Sequence, residues 1–384
     1  MIRILTFLIV TLASSLTAAQ LSVDCNAGQS LNGALSKLDK HTPITVSVNG
    51  VCTEYVQVIG FDGLVLKGLP GAELLQPAGS TFPLLTSLLL IESSRSVTVD
   101  GFSIQADVTT IPAIGIGHGS SDIRLRNLTI TGGNPGIIIF ENSQVSIAYV
   151  TARDSGYAVL GIYDLSDVHV ERSIFSDSTG ELWHTGFDVG GSHVTMYGTL
   201  IRNFQIGINL YGGGTVDLVD FNTYFPLGGA TDVVIDSPAR TNYNGVSIAG
   251  GATVNLASAK LRISNPGQTY GGSTGGVLVS SGSSLNAGPN LVVTGSQGQG
   301  VFVTNNSHAD LDGSSITGGQ HGGLVVVNQS SIAVGSGHPP TIIGGNATDL
   351  FCDSRSLITG SANIGSAASV QCANLLPGDT VTLP

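Results

Sequence analysis

The most informative feature of this sequence is a motif, here called the coil motif, that repeats along most of the chain. Each copy has a Gly-led apolar segment, a short turn of Ser, Asn or Gly, and a segment in which apolar and polar residues alternate. We take the first apolar residue after each turn as an anchor. Most anchors lie 22–26 residues before the next one; Val145 and Val168, for example, are 23 residues apart. The anchors are Val97, Ile123, Val145, Val168, Val194, Val216, Val254, Leu285, Ala309, Ile332 and Leu357.

A fixed repeat of this size is typical of a solenoid, in which three short strands and three turns form each coil. Leucine-rich repeats have a similar period, but the apolar positions here are mainly Val and Ile rather than a regular Leu and Asn skeleton. The sequence therefore predicts an all-β fold, a right-handed parallel β-helix of about 11–12 coils. One step, from Val216 to Val254, spans 38 residues and predicts either a protruding loop or a further degenerate coil.

The first 19 residues have the layout of a secretory signal peptide. They contain an Arg near the start, an apolar run and small residues at the end. Ser14, Ser15 and Thr17 interrupt the run before it reaches the roughly 20 apolar residues of a membrane span. We therefore expect cleavage near Ala19–Gln20 and a secreted protein, periplasmic if its source is bacterial. We also expect no membrane span and one β-helix domain over residues 20–384.

Both ends of this domain have features of caps. The four cysteines form two local groups, and an even number in an exported chain favours the disulfides Cys25–Cys52 and Cys352–Cys372, because the two ends of a solenoid lie far apart. Leu31, Leu35 and Leu38 have the spacing of a short amphipathic helix. We therefore expect an N-terminal cap with a short helix and the first rungs over residues 20–66, and a C-terminal cap over residues 352–384.

Charge and motifs limit the ligands. The formal net charge of −12 argues against nucleic acid, which needs a basic face. It also favours a neutral glycan over a polyuronate unless a cation intervenes. No C-x-x-C pair predicts a metal site, and no cofactor is expected; calcium is conceivable, but no calcium-binding repeat is present.

The Gly-led strands supply the candidate binding residues. Side chains on a strand alternate between core and solvent, and rings in line on a shallow face suit the apolar faces of sugars. One outward column is predicted to consist of His118, Phe140, Tyr163, Asp188 and Tyr211, with Trp183 closing one end. The alternative is a purely structural role, in which the rings form a ladder on the outer face and only pack against each other.

Three residues near this column are candidates for catalysis. Asp164 and Asp188 come from adjacent coils and are predicted within the roughly 5–10 Å that glycoside hydrolysis asks of two carboxylates. His184 is the candidate acid, base or orienting group. The competing interpretation is that Asp164 is a turn residue, since turns favour Asp.

The chain resembles the pectin-lyase-like superfamily of secreted right-handed β-helix proteins. The resemblance lies in the coil motif and in the cysteine-bounded opening CNAGQSLNGALSKLDKHTPITVSVNGVC. That resemblance implies the fold, and activity on polysaccharides as hydrolase, lyase or epimerase, or else a non-catalytic adhesin or tailspike. Gly117-His118-Gly119 is similar to one polygalacturonase segment, but the Asp-Asp pair and the RIK segment of those enzymes are missing. Two functions therefore remain: a protein that binds and cleaves or modifies an extracellular polysaccharide, and a non-catalytic structural or glycan-binding β-helix.

Overall fold

The computed structural model describes residues 19–79, 87–179, 184–219, 232–236, 244–264, 275–335, 341–365 and 370–372. The chain winds through three parallel sheets, which we number I, II and III in the order in which each coil passes through them. Apart from the first strand, which adds only to sheet I, each coil gives one strand to each sheet, and the corresponding strands of neighbouring coils pair. Strands are numbered in chain order.

Sheet I has 14 strands: β1 Ala19–Asp24, β2 Ile44–Asn49, β5 Leu64–Gly68, β8 Thr98–Asp100, β11 Ile123–Arg126, β14 Gln144–Ala148, β17 Asp167–Glu171, β20 His193–Tyr197, β23 Thr215–Leu218, β26 Thr253–Leu256, β29 Ser284–Asn286, β32 His308–Asp310, β35 Ser331–Val334 and β38 Leu357–Gly360. Sheet II has 13 strands: β3 Val51–Cys52, β6 Glu73–Leu75, β9 Ser103–Gln105, β12 Thr129–Thr131, β15 Thr151–Arg153, β18 Ile174–Ser176, β21 Leu200–Arg202, β24 Val233–Asp236, β27 Leu261–Ser264, β30 Leu291–Thr294, β33 Ser315–Thr317, β36 Ile342–Gly344 and β39 Asn363–Ile364. Sheet III has 13 strands: β4 Val56–Ile59, β7 Leu89–Glu92, β10 Ile114–Gly117, β13 Ile137–Ile139, β16 Ala158–Tyr163, β19 Thr185–Gly190, β22 Ile206–Tyr211, β25 Asn244–Ile248, β28 Gly275–Val279, β31 Gln299–Val303, β34 Gly322–Val326, β37 Leu350–Cys352 and β40 Val370–Cys372.

The predicted anchors form one ladder in sheet I, with one correction. Val145 pairs with Val168, Val168 with Val194, and the same register continues to Ile332. At the last rung Ile332 pairs with Ile358 rather than with the predicted Leu357. Adjacent apolar residues at this position left the sequence pattern ambiguous by one residue, and burial of Ile358 decides it.

The core consists of the inward residues of all three sheets. On sheet III the apolar residues that alternate with the outward positions of four successive strands are all buried: Ile137, Ile139, Leu160, Ile162, Phe187, Val189, Ile208 and Leu210. Burial of each such side chain contributes about 1.5–3 kcal/mol. The alternation of the strands is therefore what holds the coils together.

A column of buried serines lines the turn that leads from sheet III to sheet I. The backbone N–H of Ser143 donates to Ser166 Oγ at 3.2 Å, and that of Ser166 donates to Ser192 Oγ at 3.2 Å. These bonds satisfy turn N–H groups that the strands leave unpaired. Gly214 and Ala252 take this position in the next two coils, after which serines return.

The long step between Val216 and Val254 contains a single coil. β23 is followed by β24 in sheet II and then by β25 in sheet III. Both strands pair with their neighbours in the usual register. The extra length lies on either side of β24, so the described residues give no additional coil.

A short helix, α1 Leu31–Leu35, covers the N-terminal end as predicted. Leu31 and Leu35 are buried in the core, and the Glu54 carboxylate accepts hydrogen bonds from the N–H groups of Leu31 and Asn32. Among the described residues, one-turn 3₁₀ helices cover Cys25–Ala27 and Gly288–Asn290.

Both predicted disulfides are present. Cys25 bonds to Cys52 with the Cα atoms 5.1 Å apart, and Cys352 bonds to Cys372 with the Cα atoms 4.5 Å apart. Cys352 and Cys372 also pair in register on neighbouring strands of sheet III. In the part of the chain that the structure describes, we find no helix with the length and apolarity of a membrane span.

Candidate functional site

A column of aromatic rings stands on the outward face of sheet III. Tyr163 pairs with Gly190 on the next strand, and Gly190 pairs with Tyr211 on the strand after that. Phe140 takes the same position one coil before Tyr163. We call this the ring column, and it brings these three rings together as the sequence predicts.

Asp188 stands in a different column, two residues before the ring column along its strand. It pairs with Gly161 on one side and with Asn209 on the other. The prediction of one column that contains Asp188 together with the rings is therefore wrong. Residues two apart on a strand share a face, so the alternation gives the correct face but does not fix which outward positions of adjacent coils lie side by side.

His118 and Asp164 lie in the turn after the ring column, with φ angles of +53° and +58°. The prediction of His118 in the outward strand column is therefore also wrong. Its Nε2 lies 3.2 Å from Glu92 and its Nδ1 lies 2.5 Å from Glu141. Its ring is edge-on to Phe140, with the centroids 6.0 Å apart.

The Asp188 carboxylate is the centre of a hydrogen-bonded cluster. Its Oδ2 accepts hydrogen bonds from the hydroxyls of Tyr163 at 2.7 Å and of Tyr157 and Tyr211 at 3.3 Å each. Its Oδ1 accepts one from Asn209 Nδ2 at 2.8 Å. Asp188 is only 1% exposed, and all four donors are neutral. Among the described residues the carboxylate therefore has no cationic partner.

The three tyrosines over Asp188 form what we call the tyrosine platform. Tyr157 is 47% exposed, Tyr211 is 38% exposed and Tyr163 is half-buried. Solvent therefore reaches the rings, while their hydroxyls are held from beneath by Asp188. This arrangement fixes the orientation of each ring before any ligand arrives.

Two glycines make room for these rings. A Cβ atom at Gly161 would lie 2.9 Å from Tyr163 Cε2. A Cβ atom at Gly190 would lie 2.9 Å from Tyr211 Cε2 and 3.3 Å from Tyr163 Cδ1. The rings therefore rest on the backbone of the two glycines, where a larger residue would displace them.

The platform hydroxyls stay protonated at neutral pH. Burial, followed by the negative charge of Asp188, raises the pKa of Tyr157 and of Tyr163. The same two causes, burial first, raise the pKa of Tyr211 to about 12. All three hydroxyls thus remain hydrogen-bond donors to the carboxylate over the physiological pH range.

The structure places the three residues predicted to be catalytic in different surroundings. Asp188 lies beneath the hydroxyls, and Asp164 is exposed on its turn. His184 is buried, with its Nδ1 3.2 Å from Asp177 Oδ2. In the described part of the chain, no hydrogen bond or ion pair joins Asp188 to Asp164 or to His184. Trp183 belongs to residues 180–183, which lie outside the described residues.

Sequence reasoning missed Tyr157 and the role of Asn209. Tyr157 directly precedes β16, where no repeat position marks it, and its carbonyl accepts a hydrogen bond from the Thr185 N–H at 2.9 Å. Asn209 had a usable signal, because the pairing of the core residues Phe187 and Ile208 places Asp188 beside Asn209. A correct coil-to-coil register would have found it.

A second polar group lies on the outward face of sheet I. His193 Nδ1 is 2.8 Å from Asp167, and His193 Nε2 is 2.9 Å from Asp217. Asn255 Nδ2 donates to the other oxygen of Asp217 at 2.7 Å. This row ties four successive coils together and lies on a different sheet from the tyrosine platform.

One group of three potential metal ligands occurs among the described residues, and it is structural. Cys25 and Cys52 form a disulfide, and the third member, Glu54, caps α1 through Leu31 and Asn32. The platform itself offers one carboxylate whose acceptors are already used.

Comparison with known proteins agrees with this architecture. Residues 86–223 match the family of right-handed β-helix regions. This chain is a right-handed parallel β-helix. The match and the three parallel sheets confirm, at the level of the fold, the predicted resemblance to the pectin-lyase-like superfamily. No curated protein is significantly similar in sequence to this β-helix.

Several solved structures are similar to this β-helix over most of its length. PfbA, a surface adhesin of Streptococcus pneumoniae, is 11% identical, with 94% of this chain and 96% of that chain covered and a TM-score of 0.40. A GH136 lacto-N-biosidase from Eubacterium ramulus is 9% identical, with 90% and 68% covered and a TM-score of 0.45. The catalytic domain of a GH87 α-1,3-glucanase is 12% identical, with 93% and 68% covered and a TM-score of 0.44. A shared fold does not imply a shared function, so the function must be argued from the residues of this chain.

Proposed function

We propose that this protein is a secreted β-helix that binds an extracellular polysaccharide on its tyrosine platform. The observation that carries the proposal is the arrangement of Tyr157, Tyr163 and Tyr211 around Asp188. Aromatic rings bind the apolar faces of sugars, and rings that are already oriented lose little conformational entropy when a ligand stacks on them. Asp188 provides that orientation.

The same geometry favours binding over catalysis. Glycoside hydrolysis uses two carboxylates that flank the scissile bond, roughly 5–10 Å apart. The oxygens of Asp188 are covered by four donors, and His184 is directed at Asp177 instead. Cleavage or modification that uses Asp188, Asp164 and His184 is the alternative, and the same assay tests it.

Secretion is part of this proposal. The signal-peptide pattern predicts export, and two disulfides are typical of oxidising compartments such as the extracellular space or the periplasm. Detection of the protein in the medium or periplasm of its source, with residues 1–19 absent from the mature N-terminus, tests this part.

The test of function is a polysaccharide screen with the purified secreted chain. Binding is scored by affinity electrophoresis, and turnover is scored by new reducing or unsaturated ends. We expect binding without new ends. Product release that Asp188→Asn abolishes would instead establish the enzymatic alternative.

The platform is tested by Tyr211→Ala, with Tyr149→Ala as its control. Loss of one stacking ring costs about 1 kcal/mol, or roughly a fivefold weaker affinity. Tyr149 is 49% exposed at the turn between sheets I and II, away from the platform, so its loss should leave the affinity unchanged. Wild-type binding by Tyr211→Ala would show that the rings are only an external packing ladder.

A further inference from the structure

The charged groups that the structure describes around the tyrosine platform are mainly acidic. No described strand of sheet III carries a Lys or an Arg, and the charged residues in these strands are Glu92 and Asp188. The adjoining turn adds Glu141 and Asp164, with His118 held between Glu92 and Glu141. Basic strand residues belong to sheets I and II instead: Lys67, Arg124, Arg126, Arg153, Arg202 and Arg262.

The buried carboxylate strengthens this field at the platform itself. Four neutral donors satisfy the hydrogen bonds of Asp188 but do not neutralise its charge, and no cationic side chain among the described residues pairs with it. A buried charge without a counter-charge is costly, because the charge loses its hydration. The charge of Asp164 also raises the pKa of Tyr211, so two carboxylates contribute to the negative potential at this side chain.

Hydrogen bonding to Asp188 also changes the rings. A phenol that donates its proton toward a carboxylate has a more electron-rich ring, and the face of such a ring attracts cations. Tyr157 and Tyr211 present ring surface to solvent while their hydroxyls point at Asp188. The platform therefore combines a stacking surface for a sugar with an attraction for positive charge.

We infer that the platform binds glycans whose sugars carry protonated amino groups, that is, de-N-acetylated amino-sugar polymers. This inference rests on the proposed glycan binding and specifies its ligand class. A neutral sugar would use the rings but not the charge, and a polyuronate would be repelled by Asp188, Asp164 and Glu92. A polymer of protonated amino sugars uses both features.

The probes are a glucosamine hexamer and an N-acetylglucosamine hexamer of the same linkage, titrated into the full secreted chain at a pH at which the amines are charged. We expect the glucosamine hexamer to bind about tenfold more tightly at low salt. The difference should shrink as salt rises from roughly 0.05 M to 0.5 M, because salt screens the solvent-exposed ligand amines and the exposed carboxylate of Asp164.

Substitutions locate the effect. Asp188→Asn should lower the ratio of the two affinities about fourfold, and Asp164→Asn about twofold to threefold. Asp164 lies at a turn with positive φ, a conformation that Asn adopts readily, so this variant keeps the inference testable if Asp188→Asn does not fold. Asp39→Asn removes the same charge from an exposed N-terminal position and should leave the ratio unchanged.

The outcomes separate this inference from the proposed function. A preference for the amine hexamer that salt and Asp164→Asn both reduce supports the inference. Equal or tighter binding of the acetylated hexamer, or of another neutral glycan in a Tyr211-dependent way, overturns the amine preference but leaves glycan binding in place. If no glycan binds at all, both proposals are wrong.

Discussion

His193 contacts carboxylates from the coils before and after its own. Its Nδ1 lies 2.8 Å from Asp167 and its Nε2 lies 2.9 Å from Asp217. A neutral imidazole has one N–H donor, so contacts of this kind on both nitrogens suit the protonated ring. Burial opposes the charge, but the hydrogen bonds to Asp217 and Asp167 outweigh it and raise the pKa of His193.

This arrangement predicts a pH-dependent contribution to stability. Because the folded pKa of His193 is raised, its contribution is fully present below the unfolded value of about 6.5 and is lost as pH rises through the folded pKa. His169 and Glu171 lie on the same outward face of β17 as Asp167. We expect His193→Gln to destabilise the protein by about 0.5–1 kcal/mol at pH 5.5, since half-exposed ion pairs are weak, and by less at pH 9.

The measurement is urea denaturation of both proteins at the two pH values. His308→Gln is the matched control, because His308 lies on the same sheet and its Nδ1 contacts the neutral hydroxyl of Ser331 at 2.9 Å. A stability difference for His193→Gln that grows toward alkaline pH would contradict the assignment.

At the scale of one strand, each rung depends on its inward residues. Val168 on β17 is fully buried between Val145 and Val194, its partners on the neighbouring coils. We expect Val168→Asp to cost several kcal/mol, because an unpaired carboxylate would be buried there. The expected result is a large drop in melting temperature, measured by circular dichroism.

Ser146→Asp is the control for that substitution. Ser146 faces outward on β14 between Arg124 and His169 in the same sheet, so an added carboxylate has solvent and a basic neighbour. Its melting temperature should stay close to that of the wild type. Equal melting of the Val168 variant and the wild type would mean that Val168 faces solvent.

At the scale of the whole molecule, each coil pairs only with its direct neighbours. In such a solenoid stability is close to a sum of local terms. The Cys352–Cys372 disulfide spans 20 residues at one end. Replacing both cysteines by Ser should therefore destabilise the last coils by about 3 kcal/mol in the chain-entropy model, without affecting the platform.

Hydrogen exchange and glycan titration together check this expectation. Amides of β37 and β38 should exchange faster, while those of β16 and β19 and the glycan affinity should stay unchanged. Replacing Cys25 and Cys52 by Ser is the matched control, because it removes the disulfide at the other end of the solenoid. Loss of protection in β16 in the Cys352 and Cys372 variant would show that the solenoid unfolds as one cooperative unit.

The coil period, the inward residues of the anchor ladder and both disulfides could be predicted from the amino-acid sequence alone. These features follow from local information, because Val168 or Ile139 must be apolar wherever the neighbouring coils lie. Cys352 and Cys372 could be paired because a solenoid keeps the two ends of the chain apart. The ambiguity between Leu357 and Ile358 arose where two adjacent apolar residues blurred that local pattern.

Only the tertiary structure decided which outward side chains meet. Coil lengths vary, and a shift of two residues preserves the alternation, so the pattern could not tell that Asp188 pairs with Gly161 and Asn209 instead of joining the ring column. Tyr157 likewise reaches Asp188 from outside the repeat. The site depends on contacts between coils, whereas the period and the core depend on residues within each coil.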